Sequence, residues 1–167
     1  MRTLADLCTF GRILIAFAIV LFSITGGLSV NTLAGLYFFG WLLDNLDGYF
    51  ARRSGQNGRL AKLDPLADTL LIISGVVLSA YRLHVYSPKF VVGFVAFWLI
   101  AVVITHNQAV WMLFSFAGLV LAFNAAWQEQ HSIAVFAAFW ALGTAVIKRR
   151  ALMNQIDQFL SSIKSAL

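Results

Sequence analysis

Six long apolar stretches constrain this chain more than anything else in it: residues 7–25, 32–50, 63–81, 90–105, 110–126 and 133–147. A bilayer core about 30 Å thick is crossed by roughly 20 mostly apolar residues in helical form. In lipid every backbone N–H and C=O must be satisfied within the protein, so only helices and closed barrels can span. A barrel needs alternating segments of about 10 residues. The segment 91–104 is instead continuously apolar, with no charged residue, so helices are expected. Composition agrees: 60% of the 167 residues are apolar and 11% charged, against about 45–50% and about 25% in soluble domains. A soluble core of this length could not hide so much apolar surface. Disorder, a collagen-like fibre and a disulfide scaffold are excluded by the same figures and by the single cysteine, Cys8. The first stretch lacks a small-residue cleavage site and is followed by equally apolar ones, so it reads as a span rather than a cleaved leader.

The breaks between stretches carry turn and cap chemistry: Gly26-Gly27, Ser29 and Asn31; Ser54-Gly55-Gln56-Asn57-Gly58; Ser87-Pro88; His106-Asn107-Gln108; and Gln128-Glu129-Gln130-His131-Ser132. No repeat or interdomain linker interrupts the pattern. The expected architecture is an all-α integral membrane protein of six transmembrane helices forming one domain over 1–167, with the 53–62 loop joining the second and third. Basic residues in short loops set orientation. With the N-terminus inside, Arg2, Arg12, Arg52, Arg53, Arg59, Lys62, Lys148, Arg149, Arg150 and Lys164 all fall on the cytoplasmic side, and only Arg82 and Lys89 fall outside. Both termini are then cytoplasmic, in a cell's inner membrane. Within 148–167, Leu152, Ile156, Phe159, Leu160 and Ile163 recur at helical spacing, which admits an interfacial helix or a frayed terminus. Positive-inside bias accounts for the basic loops without nucleic acid. Trp41, Trp111 and Trp127 suit an interfacial aromatic belt, and Trp98 and Trp140 suit packing within spans. His84 and His131 have no partners at metal-ligand spacing.

The negative charge is distributed quite differently. The chain has 7 Asp and Glu against 12 Lys and Arg, and four of the acids, Asp44, Asp47, Asp64 and Asp68, lie between residues 44 and 68. Asp44 and Asp47, three apart, share a helix face at the inner end of the second stretch. Asp64 and Asp68, four apart, share one at the start of the third. The loop turns the chain back, so the two faces can meet just inside the cytoplasmic boundary. Asp64 beside Pro65 could merely cap a helix. Four gathered carboxylates, however, repel one another by about 1–4 kcal/mol per pair at 4 Å, and no structural gain offsets that. A hard divalent cation suits such oxygen ligands: Mg²⁺, Mn²⁺ or Ca²⁺ rather than zinc. Two such ions would balance four carboxylates. Gly48 opens the backbone to a ligand, Ala51 is small, and Arg52 lies one turn beyond Gly48 and can meet a phosphate in bidentate fashion. Metal, open backbone and cation together call for a phosphate or diphosphate substrate at the inner leaflet.

The pattern Asp44-x-x-Asp47-Gly48-x-x-Ala51-Arg52, then Asp64-x-x-x-Asp68, resembles the signature of the CDP-alcohol phosphotransferases, six-helix membrane enzymes of phospholipid synthesis. Arg12, after Thr9, is similar to an arginine that family carries in its first helix. The resemblance implies transfer of a phosphatidyl group from a CDP-linked lipid, usually CDP-diacylglycerol, to an alcohol, with release of CMP. It implies that Asp44, Asp47 and Asp64 ligate Mg²⁺ or Mn²⁺. Asp68 would be the base for the acceptor hydroxyl and a further ligand. Gly48, Ala51 and Arg52 would hold the cytidine diphosphate portion, and the chain would form a homodimer. The sequence departs from the signature at Leu60, where a glycine stands four residues before the third aspartate, and in a 52–64 spacing one residue short, which a shift of Gly58 could absorb. The fourth-to-fifth connection offers only Thr105, His106, Asn107 and Gln108, which argues against a phosphorylated acceptor. Two other readings stay open: a degenerate member that binds lipid or a partner without turnover, and a cation-dependent transporter, against which the acids gather at one end instead of lining a route.

Overall fold

The structure is a computed structural model, which describes residues 2–54, 60–105 and 108–147. Among these residues the regular elements are helices: α1 (Arg2–Thr25), α2 (Val30–Ser54), α3 (Asp64–Tyr81), α4 (Pro88–Thr105), α5 (Gln108–Glu129) and α6 (His131–Ile147), with a short 3₁₀ turn, Ala61–Leu63, leading into α3. All six apolar stretches are helical. Several helices run beyond their apolar stretch, α1 back to Arg2 and α2 on to Ser54, because i to i−4 hydrogen bonding does not stop where lipid would. The 148–167 segment, read as an interfacial helix or a frayed terminus, the shift at Gly58 and the loop residues His106 and Asn107 lie outside the described residues.

Turn signals in the sequence become caps. Gly26 closes α1 with φ +78° and its N–H on the Phe22 carbonyl at 3.1 Å, a left-handed conformation that glycine adopts without strain. Ser29 starts α2 by accepting the Thr32 N–H at 3.1 Å, and Ser87 starts α4 by accepting that of Phe90 at 3.2 Å.

The described chain forms two compact units, 1–84 and 85–167. In the first, α1 packs extensively on both α2 and α3. Its core joins Ala16, Ile19, Leu33, Leu71 and Leu78. Small residues let α2 and α3 approach: a Cβ on Gly40 would stand 2.8 Å from Leu71 Cδ1, and one on Gly75 would stand 2.9 Å from the Tyr37 ring. In lipid, where helices gain no hydrophobic drive to associate, such close packing is a principal source of cohesion. Gly40→Val should therefore lower stability: overpacking costs about 1–3 kcal/mol, more than the roughly 0.5 kcal/mol that leaving glycine gains in a helix. Gly35→Ala, where nothing lies within 4 Å, is the control and should leave the melting temperature in detergent unchanged or slightly raised. In the second unit α5 packs on α4 and more extensively on α6. The Trp98 and Phe114 rings stack at 6.2 Å between centroids, and Asn124 Nδ2 donates to the Tyr86 hydroxyl at 2.8 Å.

The pattern of exposure is inverted relative to a soluble protein. On α1, Leu7, Phe10, Leu14, Phe17, Leu21 and Ile24 form an exposed stripe at helical spacing, while Thr9, Arg12 and Ser23 are buried. On α6, Phe136, Phe139, Leu142 and Val146 are likewise exposed. Apolar faces of this extent mark contact with another apolar phase. Among the described residues three helices are long and apolar enough to cross a membrane by length and composition: α1 over Thr3–Thr25, α3 over Asp64–Tyr81 and α5 over Val110–Glu129. The apolar segments Pro88–Ala101 of α4 and His131–Val146 of α6 are shorter. Asp44, Asn45 and Asp47 reduce the apolar character of α2.

Candidate functional site

The four aspartates do meet, and they meet on an arginine. Arg12, in the third turn of α1, is fully buried. Its Nη1 donates to Asp44 Oδ1 at 3.1 Å and to Asp68 Oδ1; its Nη2 donates to Asp47 Oδ2 at 3.2 Å and to Asp64 Oδ1 at 3.0 Å. A guanidinium has four terminal N–H groups in a fixed plane. The two terminal nitrogens engage four different carboxylates from two helices, while buried Nε has no hydrogen-bond partner. Asp47 and Asp64 share one nitrogen, so their oxygens are no farther apart than the sum of those two distances. Asp44 and Asp68 share the other. Thr9, one turn before Arg12, donates its hydroxyl to Asp64 Oδ1 at 2.7 Å.

Local structure explains the convergence. Asp44 and Asp47 project from adjacent turns of α2, and Asp64 and Asp68 from the first two turns of α3. Pro65 suits the first turn of α3, where its missing N–H leaves no intrahelical bond unmade. Asp64 opens the helix but does not cap it: Leu63 holds the cap position with no side-chain cap bond. The Asp64 carboxylate turns to Thr9 and Arg12 instead, so capping does not account for it.

Burial grades across the cluster. The Arg12 side chain is 1% exposed, Asp47 12%, Asp64 32%, Asp44 36% and Asp68 50%. One charge of +1 faces four of −1, a net negative site that is closed at Arg12 and Asp47 and open at Asp68. Such a buried arginine is held by its partners and holds them. Among the described residues no three His, Cys, Asp or Glu side chains are arranged as a ready-made metal site; one oxygen of each of the four carboxylates is paired with Arg12. The donor set nonetheless fits a hard divalent cation: carboxylate oxygens only, from two helices, with one cationic charge too few by three.

Gly48, Ala51 and Arg52 lie in the last two turns of α2, beyond Asp47, on the same helix as half the cluster. Leu60, in the place of the expected glycine, donates its N–H to Asp6 Oδ1 at 2.9 Å and accepts the Leu63 N–H at 2.7 Å. Its φ is not positive, since among described non-glycine residues only His84 has that conformation. A glycine backbone is not required there. In the sequence Arg12 stands out only through the family resemblance, and Asp6 and Thr9 carry no assigned role. The available signal is their spacing: 6, 9 and 12 recur at one-turn intervals within the otherwise apolar run 4–22, as polar residues with buried partners do.

A family model described as CDP-alcohol phosphatidyltransferase matches residues 2–164, and the chain belongs to that family. Comparison with curated proteins and with solved structures gives no match.

Proposed function

From that membership we propose that this chain transfers a phosphatidyl group from CDP-diacylglycerol or a closely related CDP-linked lipid to an alcohol, releasing CMP, as a step of phospholipid synthesis. The observation that carries the reading is the meeting of Asp44, Asp47, Asp64 and Asp68 at one point of a membrane-type helical unit. Six helices span a cell's inner membrane with both termini inside, so the cluster faces the cytoplasm, where the nucleotide resides. A lipid diphosphate reaches it laterally, tails remaining in the bilayer.

Each residue has a part. Asp68, the most exposed of the four, accepts the proton of the acceptor hydroxyl and orients its oxygen towards the lipid-side phosphorus. A new P–O bond forms to that oxygen, the bond to the CMP oxygen breaks, and CMP leaves with the electron pair. Gly48 and Ala51 leave room for the cytidine diphosphate beside α2, and Arg52 binds its phosphate oxygens. Arg12 and Thr9 hold Asp64 and its neighbours in register. Asp44, Asp47, Asp64 and Asp68 would hold Mg²⁺ or Mn²⁺; two ions together with Arg12 would exceed the charge of the four carboxylates by one, and the metal when bound would supply neutralisation of diphosphate charge. The weakly basic 105–108 connection favours an unphosphorylated acceptor. A second copy of the chain completes a homodimer.

The test is CMP release from CDP-diacylglycerol in proteoliposomes, across a panel of alcohols, with and without EDTA. One alcohol should give EDTA-sensitive CMP release. Tight binding of the CDP-lipid with no CMP from any alcohol would point to the degenerate, non-catalytic reading instead.

A further inference from the structure

Asp6 is remote in sequence from the aspartate cluster and takes no part in the chemistry above. Its carboxylate accepts the backbone N–H of Leu60 at 2.9 Å across 54 residues of chain. Leu60 in turn accepts the Leu63 N–H, closing the 3₁₀ turn Ala61–Leu63 that runs directly into Asp64. Thr9, one turn further along α1, fixes the Asp64 carboxylate, and Arg12, one turn further still, gathers all four. One face of α1 therefore holds three successive levels: the Leu60 backbone, the Asp64 carboxylate and the four-carboxylate cluster. The lowest level is a hydrogen bond from a backbone amide to a carboxylate, stronger than one between neutral groups.

We propose that Asp6 is a positioning residue for the site: it anchors the end of the α2–α3 connection and so sets where Asp64 enters the cluster. Backbone anchoring also explains why Leu is accommodated at 60. A hydrogen bond to the main-chain N–H is indifferent to the side chain, and φ there needs no glycine. Losing the bond frees the turn that delivers Asp64, while Thr9 and Arg12 still hold its carboxylate. The site should loosen without dispersing.

The inference rests on the proposed divalent-cation site, so the test separates the two. Mg²⁺ binding to the purified full chain in nanodiscs is measured by calorimetry for wild type, Asp6→Ala and Asp6→Asn, alongside melting temperature and CMP release. Asp6→Ala removes the acceptor and should weaken Mg²⁺ binding about tenfold, the equivalent of one hydrogen bond to a charged group. Asp6→Asn keeps an acceptor oxygen for the Leu60 N–H and should restore affinity to within about threefold of wild type. A purely structural role would lower the melting temperature and leave Mg²⁺ affinity unmoved in both variants, and that outcome overturns the inference. So does equal weakening in Asp6→Ala and Asp6→Asn, which would show that charge rather than the hydrogen bond matters. If wild type binds Mg²⁺ and shows the Asp6 pattern yet releases no CMP, the inference stands and the transferase reading fails. Wild type that binds no Mg²⁺ overturns the inference, and CMP release in the same preparations decides separately whether the transferase reading fails with it.

Discussion

Replacing Arg12 with methionine should destabilise the protein by about 3–5 kcal/mol, the range for removing one partner of a buried ion pair. The partner most affected is Asp47, whose side chain is only 12% exposed and loses its cation. Asp44, Asp64 and Asp68 are partly exposed and relax towards water, which keeps the loss below the sum of four pairs. Methionine is apolar and unbranched and keeps the packing of the arginine stem, so the effect reads mainly the loss of the guanidinium's charge and hydrogen bonds. Arg12→Lys keeps the charge but offers three donors from a single nitrogen instead of two donor nitrogens in a plane. It should recover part of the stability and not all. Added Mg²⁺ should raise the melting temperature of Arg12→Met more than that of wild type, because the variant lacks the cation that otherwise answers the four carboxylates. A methionine variant as stable as wild type in the absence of divalent ions would show that the arginine does not hold the cluster together.

The second large effect is on rate. Asp68→Asn should lower CMP release by about 10²–10⁴-fold, the contribution of a positioned general base. Asparagine retains the shape and an acceptor oxygen for Arg12 but cannot take a proton at neutral pH. Asp68 is also the most exposed of the four, so stability should fall by less than in Arg12→Met. The comparison that separates its roles is Asp47→Asn, which removes a charge at the closed end of the site. Asp47→Asn should weaken cation binding, whereas Asp68→Asn should depress turnover at saturating Mg²⁺. An Asp68→Asn enzyme with wild-type turnover would remove it from the chemistry.

The helices were legible because their signal is continuous: a run such as 91–104 has one physical solution in lipid. Their ends were less so, because apolarity marks where lipid stops and hydrogen bonding continues past it, as at Arg2 and Ser54. The four aspartates could be found from spacing alone, since i,i+3 and i,i+4 fix a shared face on any helix. What joins them could not. Arg12 reaches its partners over 32 to 56 residues, a tertiary relation that periodicity does not carry. In sequence it is one of the twelve basic residues, most of which positive-inside bias explains. The anchoring of Leu60 by Asp6 escaped for the same reason, and because a backbone N–H leaves no trace in the choice of side chain.

If the aspartate cluster directs transfer of the lipid-side phosphate to an alcohol, that phosphorus must end in a new lipid. The most direct measurement follows that phosphorus. CDP-diacylglycerol labelled only at the phosphate attached to diacylglycerol is supplied with the alcohol that supports CMP release, in the presence of Mg²⁺. The label should appear entirely in a new phosphodiester lipid, with unlabelled CMP formed in equal amount and both products absent from Asp68→Asn. Label recovered in phosphatidic acid, or products that form equally well without the alcohol, would show that the cluster does not direct transfer to an alcohol.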